Sequence, residues 1–93
     1  MPTTPRPIDF AKVESLRRHM LLTMADMATL FGVSRMTYYN WAKGGPIRKS
    51  NEVRIRVMLK KLLAVMTEHG WPTPAAIAGG QKRRLGMLLE LIQ

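Results

Sequence analysis

The 93-residue chain carries fifteen Lys and Arg against six Asp and Glu, a formal charge of +9. Its 46% hydrophobic content suffices for one packed domain and excludes intrinsic disorder, so the excess charge belongs on a folded surface and calls for a polyanionic partner. The lack of cysteine excludes a disulfide framework, a thiolate zinc site and a thiol nucleophile, and no apolar run is long enough to cross a bilayer.

Three prolines in Met1–Pro7, without apolar periodicity, predict a flexible arm over residues 1–8 and no signal peptide. Asp9 offers an N-cap oxygen, and Ile8 with Val13 forms a hydrophobic staple around it. A first helix over about residues 10–20 follows, with Phe10, Val13, Leu16 and Met20 inward. Thr23 and Asp26 make a capping box for a short second helix, whose buried side is Met27, Ala28 and Phe31 and whose end is Gly32. Ser34 caps a third helix running to about Lys43.

Gly44, Gly45 and Pro46 then break the chain. Ser50 or Asn51 starts a long fourth helix that ends at His69 before Gly70, with a broad apolar face of Val53, Ile55, Leu59, Leu62, Leu63 and Met66. Thr73-Pro74 opens a short fifth helix that Gly79-Gly80 closes. Gln81–Gln93 reads as a last helix with Leu85, Leu88, Leu89 and Ile92 at spacings of three and four. No strand pattern occurs. The expected fold is all-α, a compact bundle of five to six helices containing a helix-turn-helix over residues 9–70, followed by a helical extension over 71–93.

The most specific pattern is Thr23–Gly44, TMADMATLFGVSRMTYYNWAKG. Ala28 must be small where the next helix crosses it, while Val33, Tyr38 and Trp41 are expected to point inward and set the crossing angle. This stretch resembles the Cro and phage-repressor type of helix-turn-helix regulators, the XRE-like family. Thr23, Met27-Ala28, Gly32-Val33-Ser34, Thr37, Trp41 and Gly44 match its motif, and the resemblance extends over about Phe10 to Met66. The chain departs from it at Met24, where the family often has a phosphate-touching Gln, at Tyr38 and Tyr39, and at Ala42. Tyr38 places a hydroxyl in the core, which needs a partner.

The resemblance implies double-stranded DNA as the partner, with the third helix in the major groove. Its side chains facing away from the core are Arg35, Met36, Tyr39, Asn40 and Lys43, the candidate base readers. Asn40 suits adenine, Arg35 suits guanine or phosphate, and Met36 and Tyr39 suit thymine methyl groups. Thr23, Ser34 and Thr37, near helix starts, are candidate phosphate contacts. Arg48, Lys49 and Arg54 extend that set, because the basic residues from Arg35 to Lys61 are accompanied by one acid, Glu52.

A repressor-like phage or bacterial regulator in the host cytoplasm or nucleoid is what this resemblance implies. A helix-turn-helix interaction module is the alternative: an antitoxin, a DNA-packaging recognition subunit, an excision factor or a polymerase-binding phage protein. A basic amphipathic fourth helix lying on anionic membranes is a further rival, although no membrane partner is expected. His19 and His69 lack the spacing of metal ligands, and neither paired carboxylates nor a phosphate-binding glycine loop occurs. No enzyme activity, cofactor, metal or small-molecule substrate is therefore expected. Trp71 reads as core and the methionines as gap fillers. In the last helix Met87 and Leu91 leave a second apolar face, which makes Leu85, Met87, Leu88, Leu91 and Ile92 a candidate homodimer seam; the other reading closes the helix onto the fourth.

Overall fold

In a computed structural model, which describes residues 8–92, the chain forms α1 (Phe10–His19), α2 (Met24–Phe31), α3 (Arg35–Ala42), α4 (Lys49–His69), α5 (Pro74–Ala78) and α6 (Gln81–Ile92). There is no strand among the described residues. The arm expected over residues 1–8 falls, apart from Ile8, outside the described residues, as does Gln93. The all-α bundle is as expected.

Local chemistry explains the boundaries. Asp9 accepts from the Ala11 amide at 3.1 Å, and Thr73 caps α5 through the Ala76 amide at 3.1 Å. Thr23 and Asp26 complete a reciprocal capping box on α2, at 3.0 and 2.9 Å. Gly32 and Gly70 end α2 and α4 in the left-handed conformation that glycine adopts without strain. The fourth helix differs from expectation at its start. It starts neither at Ser50 nor at Asn51 but at Lys49, behind Arg48, which makes no side-chain cap bond.

The core joins all six helices through Val13, Met27, Tyr38, Trp41, Ile55, Leu62, Ala76 and Leu88 and their neighbours. The face of α4 is narrower than expected: Val53 and Leu63 are 61% and 52% exposed. Val53 lies two residues from the buried Ile55, about 200° round the helix, and so points away from the stripe formed by Ile55, Leu62 and Val65. On α6 the expected faces also change. Leu88 is fully buried in the single-chain core, Leu85, Met87, Leu91 and Ile92 pack partly against it, and Leu89 is the outward side chain. The last helix thus closes the bundle against α4, and Leu88 is not available to a dimer seam.

The C-terminal segment is also tied to the first turn. Leu21, between α1 and α2, has φ 61°, a conformation that costs a non-glycine residue on the order of 1–3 kcal/mol. Three successive carbonyls hold it there. Met20 accepts from the Trp71 indole at 3.0 Å, Leu21 from Arg84 Nη1 at 2.9 Å, and Leu22 from Arg17 Nη1 at 3.0 Å. Arg84 also donates to the carbonyls of Ala76 and Ile77 at the end of α5. Trp71 is core, as read from the sequence.

The core hydroxyl of Tyr38 has its partner. It donates to Glu14 Oε2 at 2.8 Å, and Arg17 Nε donates to the same oxygen at 2.6 Å. Burial, then the hydrogen bond to the Glu14 carboxylate, pushes the Tyr38 phenol far above its usual value. In the unfolded chain this group ionises near pH 10, whereas in the folded chain it stays protonated. Its contribution to stability is therefore intact below about pH 10 and falls by about 1.4 kcal/mol per pH unit above it. Denaturation of the parent and Tyr38→Phe between pH 8 and 11.5 should show a constant stability difference up to about pH 10 that narrows beyond it; a difference that stays constant throughout contradicts this account.

Truncation after Gly80 removes Leu88, the Arg84 clamp and the partly buried stripe of α6. Burial of one such leucine contributes about 1.5–3 kcal/mol, within a total for a domain of about 5–15 kcal/mol. The truncated chain should lose its cooperative thermal transition by circular dichroism. A truncated chain that stays folded contradicts the assignment of α6 to the core.

Candidate nucleic-acid interface

The central unit is α2, the Gly32-Val33 turn and α3. Ala28 is buried where α3 approaches, and its carbonyl accepts from the Val33 amide at 2.9 Å, closing the turn. Ser34 then accepts from the Thr37 amide at 3.1 Å and starts α3. Tyr38 and Trp41 are buried, while Val33 is partly so. Phe10 of α1 meets both aromatics edge-on, at 5.1 Å from Tyr38 and 6.1 Å from Trp41. Phe31 stacks on Tyr38 at 5.9 Å. The short third helix is thereby held by its inner aromatic pair against α1 and α2.

All five side chains expected to face away from that core do so. Arg35, Met36, Tyr39, Asn40 and Lys43 are exposed, Met36 at 67% and Tyr39 at 43%. They occupy one outward face with a cation at each end and an amide between. Lys43 Nζ lies 4.4 Å from the centroid of the Tyr39 ring, so the two form a cation–π pair. Tyr39 is thus surface, with one face of its ring covered by a lysine.

The candidate phosphate contacts divide into two groups. Thr23 is half-buried and accepts from the Asp26 amide, so it serves as a cap. Ser34 and Thr37 share a hydroxyl bond of 2.8 Å at the exposed start of α3. Arg48 and Lys49 are exposed at the start of α4. Arg54 is exposed too, yet it reaches back to donate to the Gly32 carbonyl at 3.4 Å. That contact bridges α4 and the turn between α2 and α3.

Asn40, Thr37 and Arg48 line one cleft between α3 and α4 together with Trp41, Pro46 and Asn51. A base-reading candidate and a phosphate candidate therefore share a wall. The intervening loop is held close: the Gly45 amide donates to the Asn40 carbonyl at 2.8 Å, and a Cβ on Gly45 would lie 2.7 Å from that oxygen. Only glycine allows this approach. In the sequence Asn51 reads only as a helix start; its position three residues after Arg48, one turn along α4, is the signal that places it beside the cleft.

No helix among the described residues is long and apolar enough to cross a membrane. His19 and His69 are both exposed, at the ends of α1 and α4. No protein-family model, curated protein or solved structure matches the chain.

Proposed function

We propose that the chain is a non-enzymatic, sequence-reading protein of double-stranded DNA, a repressor-like regulator of phage or bacterial type acting in the host cytoplasm or nucleoid. The observation that carries this reading is the outward face of α3, on which Arg35, Met36, Tyr39, Asn40 and Lys43 stand exposed over a buried Tyr38 and Trp41. The resemblance of Thr23–Gly44 to Cro-type motifs supports the same reading.

The chemistry follows from the side chains. Asn40 presents a donor and an acceptor suited to the N6 and N7 of adenine, and Arg35 a fork suited to the O6 and N7 of guanine. Met36 supplies an apolar surface for a thymine methyl group. Arg48 and Lys49 would hold backbone phosphates beside the cleft that Asn40 lines, which sets the register but carries no base information. One short helix reads only a few base pairs, so two copies on two half-sites about one helical turn apart complete the proposal.

Asn40→Ala or Arg35→Ala should weaken binding to the preferred duplex by about 1–3 kcal/mol and to random duplexes much less, with the melting temperature unchanged because both side chains face solvent. Lys49→Ala should weaken all duplexes alike and flatten the dependence on salt, in which the logarithm of affinity falls by about 0.9 per phosphate neutralised. Fluorescence anisotropy at several salt concentrations reads both. Equal losses on preferred and random duplexes for Asn40→Ala and Arg35→Ala, or a parent whose affinity ignores salt, contradict the proposal.

A further inference from the structure

Within the core beneath α3, the Tyr38 side chain is fully buried and its hydroxyl reaches Glu14 of α1. Aromatic packing against Phe10 and Phe31 holds the ring in place, and the hydrophobic part of that contact is non-directional. A hydrogen bond is directional. The Glu14 carboxylate is itself immobilised, since Arg17 contacts both of its oxygens, at 2.6 and 3.4 Å, and also donates to the Leu22 carbonyl. Leu22 immediately precedes the N-cap of α2. One carboxylate thus connects the middle of α3 to the entry of α2 by way of α1.

We infer that Tyr38 and Glu14 are positioning residues for sequence reading: their buried hydrogen bond fixes the rotation of α3 about its own axis and so sets where Arg35 and Asn40 meet the bases. This rests on the DNA-reading proposal above. Side-chain tips lie about 5–6 Å from a helix axis, so a rotation of about 20° moves them by about 2 Å. A constellation of oriented hydrogen bonds holds only within about 0.5 Å. Phosphate contacts made by long, flexible lysines survive such a movement, whereas paired hydrogen bonds to a base edge do not. Loss of the pin therefore costs discrimination rather than general affinity.

The experiment uses the full chain and measures the ratio of dissociation constants for random and preferred duplexes, together with amide hydrogen exchange of Tyr38–Ala42 without DNA. Tyr38→Phe keeps the ring and removes the hydroxyl; it should lower the ratio at least five-fold and speed exchange in α3 at least five-fold relative to α2. Glu14→Gln keeps an oxygen acceptor for the Tyr38 hydroxyl but puts an amide nitrogen where Arg17 Nη2 donates, and should fall between the parent and Tyr38→Phe on both readouts. Val65→Ala, a core change on α4, controls for lost stability and should leave the ratio within two-fold. Should Tyr38→Phe fail to fold, Glu14→Ala, which leaves the ring packed, is held to the same thresholds.

A folded Tyr38→Phe with an undiminished ratio overturns the inference. So does a ratio that falls equally in Val65→Ala, since that assigns the effect to stability alone. A parent that shows no preference among duplexes refutes the DNA-reading proposal, and with it the role of the pin in reading; the exchange measurement then separately decides whether the pin holds α3, with unchanged exchange in Tyr38→Phe overturning that too.

Discussion

The carboxylate of Glu14 is the polar centre on which the arrangement of the first three helices depends. A carboxylate placed in a core without partners loses its hydration at large cost, so its position is tolerable only where donors converge on it. Arg17, one turn along the same helix, and Tyr38, on α3, supply them. Among the described residues no buried side-chain nitrogen or oxygen lacks a hydrogen-bond partner. The polar group therefore does more than avoid a penalty: it selects one rotational setting of α3 from those that apolar packing alone would accept.

A second constraint joins the Trp71–Arg84 segment to this centre. The turn at Met20–Leu22 gives three consecutive carbonyls to Trp71, Arg84 and Arg17, from three separate segments. Trp71 and Arg84 lie well beyond α2 and α3 in the chain, yet they brace the turn from which α2 departs. The C-terminal helices thus belong to the same folded unit as the helix pair that carries the candidate interface. Leu88 completes that unit from the side of α4.

Much of this was legible in the sequence because caps and stops are local signals. Asp9, Thr23, Ser34 and Thr73 each act where their spacing to the following helix placed them. The outward face of α3 was legible too, since an eight-residue helix with inward aromatics at Tyr38 and Trp41 leaves few choices for the rest. What escaped depended on contacts between distant segments. Nothing local sets Glu14 apart from a surface acid, and only the approach of Tyr38, 24 residues on, reveals its role. Val53 and Leu63 were assigned to the core because a helix rich in apolar residues does not state which stripe its neighbours cover. On α6, too, it is the packing of α4 and α5 that turns Met87 and Leu91 inward and Leu89 outward.

The resulting molecule separates two tasks. Its interior fixes the direction of α3, and its exterior offers Arg35, Asn40 and their neighbours beside the cations at the start of α4. Cations alone would bind any polyanion, whereas an amide and a guanidinium are groups that can discriminate between bases, as the proposed function requires. Selection of bound duplexes from a random pool by the full chain tests that claim most directly. The account predicts enrichment of one motif, in two half-sites about one helical turn apart, that Asn40→Ala alters; a pool that remains random in sequence while still binding would contradict it.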